Sequence, residues 1–235
     1  MDEYARKARL YPAVLVALPI AILGVAAFPS PPTWWKGILG LLGSGAVLQV
    51  ASQFGRTFGR RKQDDLFKAW GGPPTTELLR FENATNKTRI TQLHKDVEQA
   101  TGLKLPDEAS ERKDPEAADE VYSLAAERLR GYTRDQKRFP LVFEENCNYG
   151  FRRNMFGLRP LGIVVAGFSS ILAVVLTLLV VGGAISGFWL SYSVAAGLDL
   201  ILLVGWISLV SGEWVKECAW AYADRLLEAA APTRI

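Results

Sequence analysis

Two long stretches of this chain are almost free of charge. From Leu10 to Gly55 the one charged side chain is Lys36, and from Pro160 to Gly212 the one charged side chain is Asp199. Yet 22% of the 235 residues are charged, so the charge is packed into what remains. A water-soluble core has no need of such segregation, whereas a bilayer demands it. At about 1.5 Å per residue, a helix from Leu10 to Phe28 is roughly 28 Å long, close to the ~30 Å hydrocarbon thickness. Gly37 to Phe54 is marginally shorter and also suits a crossing.

Pro160 to Gly212 is about twice the length that one crossing needs, so it is expected to fold back on itself. Gly182, Gly183, Ser186 and Gly187 mark the bend, with Phe188, Trp189 and Tyr192 suited to the interface beside it. Backbone groups in lipid have to be bonded internally, which selects helices, and no alternation of strand type argues for a barrel. Pro29, Pro31 and Pro32 with Trp34 and Trp35 form a rigid turn between the first two spans. Glycines at 37, 40, 43 and 45 offer a face for close helix packing, Gly40 and Gly43 against Gly24. The first apolar run is longer than a signal-peptide core and is preceded by acidic Asp2 and Glu3, so it is read as a retained span.

Orientation follows from the basic residues. Arg6, Lys7 and Arg9 precede span one, Arg56, Arg60, Arg61 and Lys62 follow span two, Arg152, Arg153 and Arg159 precede span three, and Lys216 follows span four. The short connections hold only Lys36. The expectation is an all-α membrane protein with four transmembrane helices, as two hairpins flanking a mostly helical cytosolic domain. The divisions are a cytosolic N-terminus (1–9), hairpin one (10–55), the cytosolic helical domain (56–159), hairpin two (160–212) and a C-terminal amphipathic helix (213–235), with both termini cytosolic. On that side the sequons at Asn83 and Asn86 stay unglycosylated, and Cys147 and Cys218 stay reduced.

Local signals divide the charged region. Arg60 to Trp70 continues span two as an amphipathic stretch that stops at Gly71-Gly72-Pro73-Pro74. Thr75 or Thr76 caps a short helix through Phe81. A helix from Asn86 to Ala100 ends at Thr101-Gly102. Asp107 to Asp114 reads as an exposed acidic loop, and Asp114-Pro115-Glu116 opens a helix that buries Val121, Leu124, Ala125 and Leu129. Pro140 starts a helix leading into span three. Trp214, Cys218, Tyr222 and Leu226 stripe the tail.

Asp199 is the residue most suggestive of function. A carboxylate at mid-span costs at least about 2.5–3.5 kcal/mol, and no basic residue lies at its depth. Two readings are open: a ring of such residues lining an ion path in a symmetric oligomer, or a carboxyl bonded to a serine or backbone carbonyl inside the bundle. Gln49, Ser52 and Gln53 in span two either face a lumen beside it or satisfy one another across helices. A second candidate site is basic. Arg128, Arg134, Lys137, Arg138, Arg152 and Arg153, with Asn146 and Tyr149, combine guanidinium groups with residues that stack on and bond to a base. Contact with anionic headgroups is the competing reading, above all for Arg56, Arg60 and Arg61. The region 56–159 holds twenty basic and seventeen acidic residues, so any nucleic-acid binding is local. Catalysis has little to build on. There is no phosphate loop and no metal-ligand spacing, His94 is the only histidine, and a Cys147–His94 pair is a weak signal. No enzyme activity, cofactor or metal is expected.

Several segments carry a resemblance: the first hairpin with Phe58-Gly59-Arg60-Arg61, then Trp70 through Thr76 with Leu78-Leu79-Arg80, then Thr133-Arg134-Asp135, then Glu145-Asn146 through Arg153-Asn154 before the second hairpin. In this order they resemble small membrane effectors of bacterial anti-phage defence systems, of the Hailong, CBASS and Pycsar types. That resemblance implies an oligomeric inner-membrane channel that depolarises its host, with a nucleotide or short oligonucleotide bound on the cytosolic domain. A neighbouring nucleotidyltransferase or cyclase would supply the ligand. The implied partners are further copies of the chain, membrane lipids and that ligand. The alternative is a non-conducting anchor or scaffold that binds a protein through its cytosolic helices.

Overall fold

A computed structural model describes residues 3–28 and 45–231, the side chains of 45–52 excepted. The Pro29–Trp35 turn, Lys36, the glycines at 37, 40 and 43, and the side chains of Gln49 and Ser52 lie outside the described residues. All regular structure among the described residues is helical. The elements are α1 (Ala5–Ala27), α2 (Gly45–Trp70), α3 (Pro74–Leu79), α4 (Lys87–Thr101), α5 (Glu108–Lys113), α6 (Pro115–Tyr132), α7 (Pro140–Val181), α8 (Trp189–Ser208) and α9 (Gly212–Glu228). Three of the described helices, α1, α7 and α8, are long and apolar enough to cross a membrane.

The chain divides into two compact units. The first comprises Met1–Gln63 and Gly150–Val215, the second Asp64–Tyr149 and Lys216–Ile235.

In the first unit the apolar helices bury only a minority of their side chains against each other. Phe168, Ile171, Leu178, Ile201 and Val204 are each more than half exposed. So wide an apolar surface is compatible with lipid and unsuited to water. Their shared core is small, made of Val16, Met155, Leu158, Ala166, Trp206 and Val210. The contacts run antiparallel along α7 and α8: the Arg159 guanidinium donates to the Trp206 and Ile207 carbonyls, and Ser170 donates to that of Ala196. Between them the chain bends at 182–188, where Gly183 takes φ +72°, a conformation that glycine adopts without a Cβ penalty.

The second unit has an ordinary core, with Leu79, Val97, Tyr122, Ala125, Leu129 and Leu226 almost fully buried. The stop at Gly71-Gly72-Pro73-Pro74 is present, with Gly71 at φ +91°. Asn86 caps α4 by accepting from the Arg89 amide, and Gly102 closes it in the left-handed region. Asp114 caps α6 with Pro115 in its first turn. Three sequence expectations are corrected. Helix α3 starts at Pro74 after Pro73, without a threonine cap. The acidic stretch is not a loop, because Asp107 caps a further short helix, α5, and Glu111 turns inward. Leu124 is exposed, and Ala118, Tyr122 and Ala126 join the buried face of α6.

Candidate functional site

The first unit centres on Asp199. Helix α8 carries it to a fully buried position, where Oδ2 lies 2.5 Å from the Ser169 hydroxyl of α7 and Oδ1 has no hydrogen-bond partner. Ser169 also reaches the Pro19 carbonyl of α1 at 3.1 Å. A hydroxyl has one hydrogen to donate, so both contacts are hydrogen bonds together only when the carboxyl supplies the second hydrogen. Pro19 lacks an amide hydrogen and interrupts the helical ladder at the same level. The three apolar helices thus meet at one polar point. Gln53, read with Asp199, is an exposed residue of α2 whose carbonyl accepts from Thr57; the Gln49 side chain lies outside the described residues.

A second polar point lies in the same unit. Asn154 is fully buried and donates to the Ala8 carbonyl at 2.7 Å. Its Oδ1 points at Gly59, where a Cβ would sit 2.1 Å away, and a Cβ on Gly157 would sit 2.5 Å from the Gly59 amide nitrogen. Helices α2 and α7 therefore touch backbone to backbone at Gly59 and Gly157. Arg152 donates to the Trp214 carbonyl at 2.7 Å and covers that indole, and Arg153 donates to Gln63 at 2.6 Å.

The remaining predicted basic-site residues belong to the second unit. Arg134, Lys137 and Arg138 are exposed in the short turn between α6 and α7, which Asp135 holds by accepting from the Lys137 and Arg138 amides. Arg138 donates to the Tyr132 hydroxyl at 3.0 Å and stacks on Tyr132 and Phe139. Arg128 donates to the Thr101 carbonyl at the end of α4. Asn146 is half-buried, and Tyr149 is buried and stacked on Tyr222. The structure thus gathers Arg134, Lys137 and Arg138 on one accessible turn. Asn146 and Tyr149 lie inward on α7, and Arg152 and Arg153 belong to the other unit.

The Trp70–Arg80 motif builds a part-buried polar network. The Arg80 guanidinium donates to both Asp119 oxygens and to Glu77, and these carboxylates hold it even more firmly protonated than an ordinary arginine. Glu111 accepts from the Phe81 and Glu82 amides and from the Tyr122 hydroxyl at 2.5 Å. Burial and that carboxylate push the Tyr122 phenol well above its usual range. His94 shares a hydrogen between Nε2 and the Leu79 carbonyl at 2.8 Å, and burial lowers its pKa.

Sequence reasoning did not find the cleft of about 870 Å³ between the start of α4 and the end of α9. Four carboxylates line it, from Glu77, Asp96, Asp224 and Glu228, against one guanidinium, Arg89. These residues are scattered over some 150 positions of sequence, and no local pattern joins them. Cys147 and Cys218 are both buried, and among the described residues no cluster of His, Cys, Asp or Glu is placed to hold a metal ion.

No protein-family model matches the chain, and comparison with curated proteins and with solved structures finds no match.

Proposed function

We propose that this protein is a homo-oligomeric channel of the bacterial inner membrane, with four spans and cytosolic termini, whose opening is controlled by an anionic ligand on its helical unit. Asp199 is the observation that carries this reading. A carboxyl sealed among apolar helices with one oxygen unpaired costs several kcal/mol, which a leucine there would not. An anchor has no use for that cost, whereas a gate does: water entering an open state would solvate the unpaired oxygen and lower the energy of that state relative to the closed one. Pro19 places a weakened helix turn beside it.

The accessible turn with Arg134, Lys137 and Arg138 supplies the ligand site. Three cations with Tyr132 and Phe139 alongside suit phosphates and a base, as in the nucleotide or short oligonucleotide that the resemblance to anti-phage effectors implies. Membrane depolarisation on activation would be the cellular outcome.

Ion flux from liposomes, with and without short oligonucleotides, tests the reading. Wild-type protein is expected to leak ions in one of the two conditions, and Asp199→Asn to change the selectivity or pH dependence of the current. Tight liposomes under every condition would remove the channel reading. Unaltered currents in a normally assembled Asp199→Asn protein would remove Asp199 from the path.

A second reading is a non-conducting scaffold, favoured by the acidic cleft. Its recessed carboxylates also suit a basic segment of another protein.

A further inference from the structure

The second unit presents two surfaces of opposite charge that do not overlap. The cleft has Leu78, Leu93 and Trp220 half-buried in its lining, with four carboxylates and one guanidinium; Glu77 and Glu228 are ion-paired with Arg80 and Arg225 beside the lining, which leaves Asp96 and Asp224 as its less strongly held acids. Asp224 is held to Arg89 only loosely, at 3.3 Å with both side chains well exposed. Asp96 accepts a neutral donor, Gln92. From Glu127 to Arg138 the chain carries five basic and two acidic residues, a net charge of plus three. One of those acids, Asp135, is occupied in holding the turn. Apolar groups accompany this charge too, with Tyr132 41% and Leu141 57% exposed.

Their separation is set by α4. The cleft is lined by the first part of that helix, including Ile90 and Leu93, whereas Arg128 contacts its last residue, Thr101. At about 1.5 Å per residue, Ile90 and Thr101 are roughly 16 Å apart. A chain does not fill its own cleft with this turn, whereas a second copy can.

We infer that the acidic cleft of one subunit receives the basic α6–α7 turn of the next. The turn's cations meet Asp96 and Asp224, with Glu228 at the cleft's edge shared with Arg225, and Tyr132 and Leu141 meet Leu78, Leu93 and Trp220. Such a contact joins two different surfaces, so repeating it builds a ring where the rotation closes and an open filament where it does not. The inference rests on the proposed homo-oligomer for its partner, and it adds regulation to that reading. The guanidinium groups that would bind an anionic ligand are the ones that hold the neighbour, so ligand and neighbour compete.

The test measures the mass of the full-length protein in nanodiscs and in detergent, at low and high salt. One variant reverses the cleft, Asp224→Lys with Glu228→Lys. Another reverses the turn, Arg134→Glu with Lys137→Glu. All four positions are at least partly exposed, and helical content by circular dichroism confirms folding. Each variant alone is expected to associate roughly a hundredfold more weakly, since facing like charges cost several kcal/mol. Mixing the two is expected to restore assemblies larger than either variant forms alone, because each variant's turn then faces a cleft of opposite charge. Placing all four substitutions in one chain restores the wild-type mass. High salt weakens the wild-type assembly, and a short single-stranded oligonucleotide lowers its mass.

Unchanged mass in both variants overturns the inference and leaves the homo-oligomeric channel standing. So does failure of the fourfold variant to reassemble. An oligonucleotide that binds the turn without lowering the mass also overturns it. A wild-type protein that is monomeric throughout overturns the inference together with the channel reading.

Discussion

His94 has a structural role. Its ring lies edge-on to Phe81 at 4.6 Å and to Tyr122 at 5.6 Å, with Nε2 bonded to the Leu79 carbonyl. A carbonyl can only accept, so Nε2 carries the hydrogen. Burial disfavours the imidazolium, and the pKa in the folded protein is below the ordinary value. Stability that depends on the neutral ring is therefore present above about pH 6.5 and is lost as pH falls towards the folded value, because the unfolded chain takes up the proton first. The slope in that window is at most about 1.4 kcal/mol per pH unit. As the chain has one histidine, a fall in the thermal midpoint of the full-length protein between pH 7 and pH 5.5, flattened in His94→Gln, would identify it. A midpoint with equal pH dependence in both proteins would exclude it.

The elements differ in how far the sequence announces them. Capping and stopping are local acts: Asn86, Gly102, Asp114-Pro115 and Gly71-Gly72-Pro73-Pro74 each work within a few residues, and each ends or starts a helix where its chemistry requires. The helix crossing at Gly59 and Gly157 is not local. Its partners are almost a hundred residues apart, so no local pattern joins them. The acidic α5 was hidden for the same reason, since Glu111 is buried to serve amides thirty residues upstream and Tyr122 downstream. Substitution separates close contact from mere glycine content. Gly157→Ala puts a methyl 2.5–2.6 Å from the backbone of Phe58 and Gly59, and neither backbone can yield cheaply. A loss of about 1–3 kcal/mol or more is expected, read as a lowered thermal midpoint in detergent. Gly167→Ala on the same helix meets only Leu203, at 4.0 Å, and should be neutral or stabilising by up to about 1 kcal/mol. Equal effects of the two would show that α2 and α7 are not in contact there.

At the scale of the whole molecule, segregation of charge made the apolar helices legible, and most of the candidate basic site was not, because fold rather than composition decides which arginines stay accessible. The number of crossings then decides which way the molecule faces. The described residues supply three candidate spans, α1, α7 and α8. With three alone, the termini would lie on opposite sides, and the basic N-terminal segment, kept in the cytosol, would send the segment before α7 outside with the seventeen basic residues from Arg56 to Arg138. A crossing by Gly37–Phe54 restores parity. It would keep Arg56, Arg60, Arg61, Arg152, Arg153 and Arg159 on the cytosolic side, as the bias of basic loops expects and as the proposed ligand requires. Reporter fusions at each terminus, with protease cleavage near Asp107 in oriented vesicles, decide between these arrangements. The expected outcome is that N-terminal tag, cleavage site and C-terminal tag all report the cytosol. A C-terminal tag opposite the N-terminal one would mean three crossings, and it would move the basic turn and the acidic cleft away from any cytosolic ligand.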